Sequence, residues 1–311
     1  MRAQDKMAVV VGETLVDEGS GEAVPGGAPF NVARHLAAFM QAPLFITRIG
    51  DDRNGAAVRA EFERFAMSEA GLQVDALEET GRIVVERSAH GQQVHILPRQ
   101  AYDFIDAQAA VASLATAPDA GILYFGSLVQ RGDVSRAALA AVLDATRATR
   151  YLDLNLRAGQ VDEPIVTRAL TAADIVKVNE EELQALFQWY FSIGPNEPPL
   201  ATAEVHAACR ALLDRFGLQA LIVTLGHRGS VYFGADGALV ANRDNPAPPF
   251  VIDTSGAGDA FSAIFLLGRA RGWPLEQTLA RANEFAGAIC AVTGAVPHDI
   301  GFYDQWVSRW K

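Results

Sequence analysis

A carboxylate directly follows a glycine-rich turn in residues 250–265, which read FVIDTSGAGDAFSAIF. An apolar run enters the turn and a helix-compatible apolar run leaves it, which is typical of a loop whose backbone N–H groups bind an anion. Asp259, directly after Gly258, would repel that anion. Phosphoryl transfer to an alcohol gives the carboxylate a role, because a base must take the proton of the acceptor hydroxyl. Spacing alone leaves a second interpretation open, in which Asp259 only caps the helix.

On the first interpretation, the glycine-rich turn stabilises the charge that develops on the transferred phosphoryl group through the N–H groups of Gly256, Ala257 and Gly258. Two other phosphate-binding patterns do not fit the sequence. The third glycine of a dinucleotide-binding fingerprint is missing, because Phe261 stands in its place. The chain also has no GxxxxGK[ST] motif, which excludes a P-loop nucleoside triphosphatase.

The chain has 311 residues, 50% of them hydrophobic, so it is long enough for one large α/β domain or roughly two average ones. Its formal net charge of −11 argues against a general nucleic-acid or membrane-surface binder. Cys209 and Cys290 lie in apolar surroundings and are expected to be reduced core residues. The sequence shows neither a signal-peptide pattern nor a run of about 20 apolar residues, so we expect a cytoplasmic protein.

Short runs rich in Val and Ile, such as MAVVVG and ALIVTLG, alternate with segments of helical spacing, such as NVARHLAAFM. This alternation predicts a mostly parallel, doubly wound sheet whose strand C-terminal ends carry polar loops along one edge. Two stretches interrupt it, and GRIVVERSAHGQQVHILP alternates with period two like an antiparallel hairpin. We expect a small β lid from about residues 17–26 and 80–99, closing over a site at the strand ends. A β element that merely decorates the sheet edge is the alternative.

The segment DTSGAGDAF resembles the C-terminal signature of the ribokinase-like, or PfkB, carbohydrate kinase family. Residues 26–39, GGAPFNVARHLAAF, resemble the N-terminal signature of that family. Further matches occur in family order: GETLVD, RIGDDRNG, DLNLR, KVNEEEL, TLGHRGS and ANEFAGAI. The resemblance implies an α/β protein of one domain, residues 1–311, built as a three-layer α/β/α sandwich with a mostly parallel central sheet and a small β lid. It also implies an ATP-dependent sugar kinase.

The resemblance implies roles for residues that spacing alone cannot assign. Asp259 matches the general base, and the anion hole is matched by Gly256, Ala257 and Gly258. Contacts to the sugar are matched by Asp17, Gly26, Gly27 and Asn31. Two glycines let the backbone approach a polyol closely, while Asp and Asn side chains supply acceptors and a donor for its hydroxyls. Without the resemblance, the glycines would suit a hairpin turn and Asn31 a helix cap.

The nucleotide and metal positions follow from the same resemblance. Asn179 and Glu182 form the N-x-x-E element, which in the family helps to place magnesium and phosphate through water, and which a plain helix start would also use. The nucleotide side is matched by Thr224, Gly226, Gly229, Asn283 and Gly287. Asp253 and Ser255 resemble part of a monovalent-cation loop. The implied cofactors are therefore ATP and Mg2+, with K+ as a further expectation.

Within the family, PGGAPFNVA, AYDFI and DLNLR are most similar to bacterial fructokinases, which implies fructose as the acceptor. A 2-keto-3-deoxygluconate kinase is the alternative, because the carboxylate of its substrate would need added Arg and Tyr contacts from the lid region, which Arg99 and Tyr102 would supply. Arg157 would either balance the charge of phosphate or substrate or form an ordinary salt bridge. Phe30 replaces the small residue usual in the N-terminal signature, so we expect it to narrow or reshape the sugar pocket.

Sugar and ATP are thus the expected partners, and neither a nucleic acid nor a membrane is expected. A homodimer formed through the lid is one further expectation. A catalytically silent protein that binds a metabolite is the alternative from a different functional class, because a fold does not guarantee activity. The intact Asp259 and the anion-hole glycines favour the enzyme.

Overall fold

A nine-stranded sheet forms the centre of the computed structural model. The structure describes residues 6–19, 23–88, 91–193, 203–243 and 250–310, with backbone alone for 85–88 and 91–94. In these residues the strands are β1 (Ala8–Val11), β2 (Leu15–Asp17), β3 (Val24–Gly26), β4 (Leu44–Gly50), β5 (Leu72–Asp75), β6 (Gly81–Ser88), β7 (Gly91–Ile96), β8 (Ile122–Gly126), β9 (Thr149–Asp153), β10 (Ile175–Asn179), β11 (Ala220–Thr224), β12 (Ser230–Gly234) and β13 (Leu239–Asn242).

The α-helices of the same residues lie mainly between successive strands of the central sheet. They are α1 (Ala28–Ala38), α2 (Arg53–Arg64), α3 (Ala107–Ser113), α4 (Asp133–Ala145), α5 (Glu163–Ala172), α6 (Glu180–Phe191), α7 (Ala203–Phe216), α8 (Ala257–Arg271), α9 (Leu275–Ile289) and α10 (Asp304–Arg309). Among these described helices, none has the length and apolar composition that a membrane span requires.

The central sheet has the strand order β13-β12-β11-β10-β9-β8-β1-β4-β5. The pairings from β5 to β11 are parallel, whereas β12 and β13 extend the sheet as an antiparallel edge. Parallel neighbours require crossover connections, and the helices between the strands supply them. The predicted mostly parallel sheet is therefore confirmed.

Helices cover both faces of this sheet. Alternation along β1 turns Val9 and Val11 towards one core and Ala8 and Val10 towards the other. The first core contains buried residues of α4, α5, α6 and α7, and the second contains those of α1, α2, α8 and α9. These two cores on opposite faces confirm the three-layer sandwich.

A separate four-stranded sheet, ordered β3-β2-β6-β7, confirms the predicted lid. The strand β2 pairs antiparallel with β3 and parallel with β6, and β6 pairs antiparallel with β7. Leu15 and Ile96 of the lid pack with Tyr102 and Leu128 in a small apolar cluster, which anchors the lid to the main body. Residues 20–22 and 89–90 of the predicted lid lie outside the described residues.

Phe30 lies in the hydrophobic core and not in the pocket. Its side chain is 0% exposed, and its ring stacks on Phe45 of β4 at 5.6 Å and on Phe62 of α2 at 5.7 Å. The expectation that Phe30 narrows the sugar pocket was wrong, because the first turns of α1 direct this ring towards the sheet. The unusual aromatic residue therefore fastens α1 to β4 and α2.

Candidate active site

A cleft of about 1480 Å3 opens where the parallel strands end beneath the lid. Asp153, Asn179 and Thr224 are the last residues of β9, β10 and β11, and all three line the cleft. The lid contributes Ile83 and Ile96 to the opposite wall. The C-terminal ends of parallel strands commonly carry the ligand site of an open α/β sheet, so this position fits the predicted one.

The cleft brings together nearly all of the predicted site residues, although they come from distant parts of the chain. Lining residues from the prediction are Asp17, Gly26, Gly27, Asn31, Arg157, Asn179, Glu182, Thr224, Gly226, Gly229, Asp253, Ser255, Gly256, Ala257, Gly258, Asp259, Asn283 and Gly287. The two predicted residues that do not line it are Arg99 and Tyr102.

The glycine-rich turn ends at the N-terminus of α8, as the sequence predicts. Gly256 is the N-cap residue and has a φ of 75°, in the left-handed region that favours glycine. A Cβ there would lie 2.4 Å from Cβ of Ala295, so no other residue fits without moving the backbone. No side chain caps this helix, and the N–H of Ala257 donates to the carbonyl oxygen of Thr254 at 3.3 Å, which leaves the N–H groups of Gly258 and Asp259 available for an anion.

Asp259 lies in the first turn of α8 and is partly buried. Its Oδ2 atom accepts a hydrogen bond of 2.7 Å from Nδ2 of Asn31 on α1. Burial raises the pKa of the Asp259 carboxyl, and the Asn31 hydrogen bond acts against that rise. The helix has no side-chain cap, so Asp259 does not serve as the capping residue. Asn31 likewise lies inside α1, whose N-cap is Gly27.

A buried ion pair lies directly beneath the anion hole. Nζ of Lys177 is 2.8 and 2.9 Å from the two carboxylate oxygens of Asp153. Asp153 also accepts a hydrogen bond of 2.8 Å from Ser262 of α8. A Cβ on Gly258 would lie 3.2 Å from Nζ of Lys177, so the glycine lets the ammonium group approach the turn. The sequence interpretation missed this pair, because neither Lys177 nor Asp153 was among the predicted site residues.

The net effect of this environment is to keep Lys177 charged. Burial is the largest single influence and lowers the pKa of the Lys177 ammonium, but the combined attraction of the surrounding carboxylates, led by Asp153, outweighs it and the net shift is upward. Asp259 and Glu182 act in the same direction. The site therefore contains a fixed positive charge next to the position at which a phosphoryl group would develop negative charge.

The part of the cleft between the lid and α1 carries the residues that the sequence predicts to contact the sugar, and we call it the acceptor half after that prediction. Gly27 has a φ of 102°, and a Cβ there would come within 2.8 Å of the carbonyl oxygen of Glu13. Oδ1 of Asp17 accepts the N–H of Gly19 at 2.8 Å, which orients the carboxylate at the lid edge. The side chain of Arg157 is exposed and lines the cleft on the other side of this half. Hydroxyl acceptors and a cation are thus available to a small polar molecule.

Glu13 is a second residue that the sequence interpretation missed. It follows β1, is 3% exposed, and burial raises the pKa of its carboxyl to about 7. Its carbonyl oxygen lies against Gly27, so Glu13 lies beneath the acceptor half, and the charges of Arg157 and Asp259 both act on the pKa of its carboxyl. Its Oε2 atom has no hydrogen-bond partner among the described residues. The GETLVD motif was the available signal, although only Asp17 was selected from it.

The nucleotide half is built from the end of β11, the turn before β12, and α9. Gly226 and Gly229 have φ values of 59° and 90°, which that tight turn requires. Nδ2 of Asn283 donates to Oγ of Ser230 at 2.8 Å and to Oδ1 of Asn242 at 3.0 Å. The side chain of Asn283 therefore ties α9 to the antiparallel edge strands and fixes this wall of the cleft.

Asn179 and Glu182 form a capping box at the start of α6. Oδ1 of Asn179 accepts the N–H of Glu182 at 2.8 Å, and Oε2 of Glu182 accepts the N–H of Asn179 at 2.9 Å. Oε1 of Glu182 accepts the N–H of Leu156 at 2.8 Å. Each carboxylate oxygen retains a further lone pair, so Glu182 can still hold a metal-bound water. The helix-start interpretation describes these contacts, and it is compatible with a sparse magnesium site.

Asp253 organises the loop that precedes the anion hole. Its two carboxylate oxygens accept the N–H of Ser255 at 2.9 Å and the N–H of Gly294 at 3.1 Å. The Ser255 hydrogen bond is the largest cause that lowers the pKa of the Asp253 carboxyl. Asp253 therefore joins this loop to the turn that follows α9.

Arg99 and Tyr102 lie outside the cleft, contrary to their predicted role at the substrate. Arg99 is 72% exposed and pairs with Glu78 at 2.5 Å on the surface. Tyr102 is 0% exposed and lies under the guanidinium of Arg131, which is 4.9 Å from its ring centre. The chain turns at Arg99 with a φ of 54°, and the segment after it enters the core. These two residues anchor the lid and do not line the cleft beneath it.

Comparison with known proteins identifies the class of the chain. Residues 3–299 match the model of the pfkB family carbohydrate kinase. The fructokinase of Klebsiella pneumoniae is 31% identical over 277 residues, which cover 84% of this chain and 83% of that protein. The chain is a carbohydrate kinase, a phosphotransferase with an alcohol group as acceptor. It belongs to the pfkB family.

Solved structures agree with the fold. A fructokinase from Xylella fastidiosa with bound ATP has a TM-score of 0.78 at 21% identity, with 98% of this chain and 100% of that chain covered. A fructokinase from Vibrio cholerae O395 in a form with fructose, ADP and calcium ion bound has a TM-score of 0.72 at 23% identity, with 94% and 95% covered. At these identities the similarity supports the ribokinase-like fold.

Proposed function

We propose that this carbohydrate kinase transfers the γ-phosphoryl group of ATP to a hydroxyl group of fructose. The observation that carries the proposal is the partly buried carboxylate of Asp259, held by Asn31 beside the glycine turn at the start of α8. Fructose is proposed because the Klebsiella pneumoniae relative is a fructokinase and is 31% identical. Asp17 in the acceptor half offers a carboxylate that suits the hydroxyl groups of such a ketose.

Asp259 performs the proton transfer in this proposal. Its Oδ2 atom is engaged by Asn31, which leaves Oδ1 for the hydroxyl of the acceptor. As the new O–P bond forms and the bond to the bridging oxygen of ADP breaks, the hydroxyl proton passes to Asp259. The N–H groups of the glycine turn and the ammonium of Lys177 stabilise the negative charge on the phosphoryl group in the transition state of the transfer. The lid excludes water, which would otherwise compete with the sugar as acceptor.

The cofactors are proposed on the same basis. Mg2+, when bound, neutralises charge on the donor phosphates, and Glu182 with Asn179 would hold it through water. The Xylella fastidiosa structure contains ATP and the Vibrio cholerae structure contains ADP and a calcium ion, which supports the use of nucleotide and metal by this chain. Asp253 and Ser255 would shape the loop that takes a monovalent cation such as K+.

An acidic acceptor, 2-keto-3-deoxygluconate, is the second candidate. The observation that favours it is the exposed guanidinium of Arg157 in the acceptor half, which could pair with a carboxylate. Arg99 and Tyr102 do not support this candidate, since both lie outside the cleft. Gln160 lines the cleft near Arg157 and also offers amide donors there.

A coupled ADP-release assay tests the proposed function. The purified protein is given ATP and Mg2+ with fructose, ribose, other ketoses or 2-keto-3-deoxygluconate, and kcat/KM is compared. The highest kcat/KM is expected with fructose. A clear preference for the keto-deoxy acid would establish the second candidate instead. If no acceptor releases ADP above the rate with ATP alone, the silent metabolite-binding protein is the correct class.

A further inference from the structure

Arg34 lies three residues after Asn31 on α1, so both side chains project from the same face of the helix. Its Nη2 atom donates to Oδ1 of Asn31 at 2.6 Å and to the carbonyl oxygen of Pro25, in lid strand β3, at 2.9 Å. Its Nη1 atom donates to Oε2 of Glu61 on α2 at 2.6 Å. The guanidinium carbon lies 4.5 Å from the ring centre of Phe30, and Arg34 is 4% exposed. Four separate contacts therefore fix this side chain.

The contact with Arg34 determines which way the Asn31 amide points. A guanidinium has donors and no acceptor, so the Asn31 atom that faces Arg34 must be the oxygen. The amide nitrogen then faces Asp259, to which it donates at 2.7 Å. An ionised carboxylate accepts hydrogen bonds only, so this orientation suits the form of Asp259 that can take a proton. A flipped amide would place its oxygen against Asp259 and would favour the protonated carboxyl.

We propose that Arg34 is a positioning residue for phosphoryl transfer, which fixes the Asn31 amide so that it donates to Asp259 and joins this hydrogen bond to the lid through Pro25. Arg34 acts through Asn31 and not on the reacting atoms. The inference rests on the proposed function, because it concerns the base that this function requires. Glu61 and Phe30 hold the guanidinium in place on two sides.

Other charged and titratable groups also face Asp259, and the experiment must separate their effects from that of Arg34. They come from β8, β9, β10 and the loops after β1 and β9, and comprise Glu13, Tyr124, Asp153, Arg157 and Lys177. None of them contacts Arg34 in the hydrogen bonds described above. A matched control is Arg64, which also pairs with Glu61, at 2.9 Å, but makes no described contact with Asn31.

The first experiment compares the pH dependence of kcat in Arg34→Met and Arg64→Met. Arg34→Met frees the Asn31 amide, so the acidic limb of the pH profile, on which kcat falls as the pH is lowered, should move to higher pH by about one unit. On that limb kcat should be roughly tenfold lower than in wild type, and it should recover at alkaline pH. KM for the acceptor should change less than kcat. Arg64→Met should keep the wild-type limb. A wild-type limb and kcat in Arg34→Met, or an equal shift in both variants, would overturn the proposal.

A double-mutant comparison shows whether Arg34 acts through Asn31. In an Asn31→Ala background, adding Arg34→Met should produce no further shift of the acidic limb. A further shift as large as the one in wild type would mean that Arg34 acts by its charge alone, which contradicts the proposal. Arg34→Lys covers the case in which the Met variant does not fold. One ammonium group cannot serve Asn31, Pro25 and Glu61 together, so a partial shift is expected, and a wild-type limb in Arg34→Lys would overturn the proposal.

A readout without turnover separates this inference from the proposed function. The side-chain carboxyl of Asp259 can be titrated by NMR with 13C-labelled aspartate, assigned through Asp259→Asn, in wild type, Arg34→Met and Arg64→Met. The midpoint of Asp259 should rise in Arg34→Met alone, even if no sugar proves to be a substrate. The inference fails if the midpoint is unchanged in Arg34→Met while the ADP-release assay shows an active kinase.

Discussion

Lys177 and Asp153 form a buried ion pair in which Nζ lies 2.8 and 2.9 Å from the two carboxylate oxygens. The two residues are direct neighbours in the parallel register of β10 and β9. Their side chains are 6% and 1% exposed, so water cannot replace either partner. Because Nζ also lies against Gly258, the pair links the strand ends of the central sheet to the anion hole.

Lys177→Met should damage both stability and turnover. The substitution leaves the Asp153 carboxylate buried without its cation, which costs about 3–5 kcal/mol of unfolding free energy. It also removes a positive charge from the anion hole, so kcat should fall by about 10²-fold or more. Urea unfolding gives the first quantity, and initial rates at a temperature where the variant is folded give the second.

The double variant Lys177→Met with Asp153→Asn separates the two effects. Removing both charges relieves the unpaired carboxylate, so much of the lost stability should return. The rate should stay low, because the ammonium is still missing. A double variant that regains wild-type kcat would show that the pair has a structural role alone.

The sequence predicted the sandwich and the lid because both depend on local periodicity. Runs rich in Val and Ile became β1, β4 and β8 to β11, and the period-two segment became β6 and β7. The ion pair of Lys177 and Asp153 depends instead on which strands become neighbours and in which register, and periodicity does not specify either. The glycine and Asn motifs predicted most of the residues that line the cleft, because each motif specifies a turn or a helix start by its local sequence.

The misplaced residues have a similar explanation. Arg99 and Tyr102 were assigned to the substrate because they lie in the region of the predicted lid. The left-handed backbone at Arg99, with a φ of 54°, turns the chain so that Arg99 meets Glu78 on the surface and Tyr102 enters the core. Phe30 was likewise placed in the pocket from its motif, although the direction of its ring is set by Phe45 and Phe62.

Asp17→Ala should weaken acceptor binding, whereas Arg99→Ala should not. Loss of the Asp17 carboxylate leaves hydroxyl groups of the bound sugar without a partner, so the affinity should fall by about 1–3 kcal/mol, or roughly 5- to 150-fold. Arg99 contributes a surface ion pair outside the cleft, so its removal should change neither KM nor kcat appreciably. Acceptor KM measured at saturating ATP checks both. A larger effect from Arg99→Ala would place the acceptor elsewhere.

Removal of divalent ions should abolish turnover, and added Mg2+ should restore it. The donor phosphates need charge neutralisation that Lys177 and Arg157 cannot supply alone. Glu182→Gln should raise the Mg2+ concentration for half-maximal rate by about 10-fold or more, because groups that hold a metal through water affect its affinity to that extent. Glu181→Gln, an exposed neighbour in the same helix turn, should behave like wild type. Full activity in excess chelator would contradict the metal requirement.

Glu13→Gln should stabilise the protein at alkaline pH. Burial raises the pKa of the Glu13 carboxyl from 4.5 to about 7, so the folded state binds a proton more tightly than the unfolded state. The stability that this group contributes is present below about pH 4.5 and is lost as the pH rises to about 7. Glutamine stays neutral, so the variant should gain up to about 3 kcal/mol at pH 8 and almost nothing at pH 4. Urea unfolding at both pH values, with the exposed Glu63→Gln as control, checks this. Equal stability changes at pH 4 and pH 8 would rule out the buried titration.

Asp259→Asn should abolish most of the activity without loss of the fold. The amide keeps the shape of the side chain but cannot take the hydroxyl proton, so kcat should fall by roughly 10²–10⁴-fold. Nucleotide binding should survive and even tighten, because the substitution removes a negative charge from an anion site. The melting temperature should change little or rise, since a partly buried carboxylate, whose charged form desolvation disfavours, has been replaced by a neutral group.

The alternative role of Asp259 predicts a different pattern. Asn caps helices as well as Asp, so a purely structural Asp259 would leave stability and turnover near those of wild type. The structure already favours the base, because α8 has no side-chain cap and Asp259 binds Asn31. The measurements on this variant are kcat, nucleotide affinity and melting temperature. Near-normal kcat with a good sugar substrate would remove Asp259 from the mechanism, and the proton would then have to leave by way of another group.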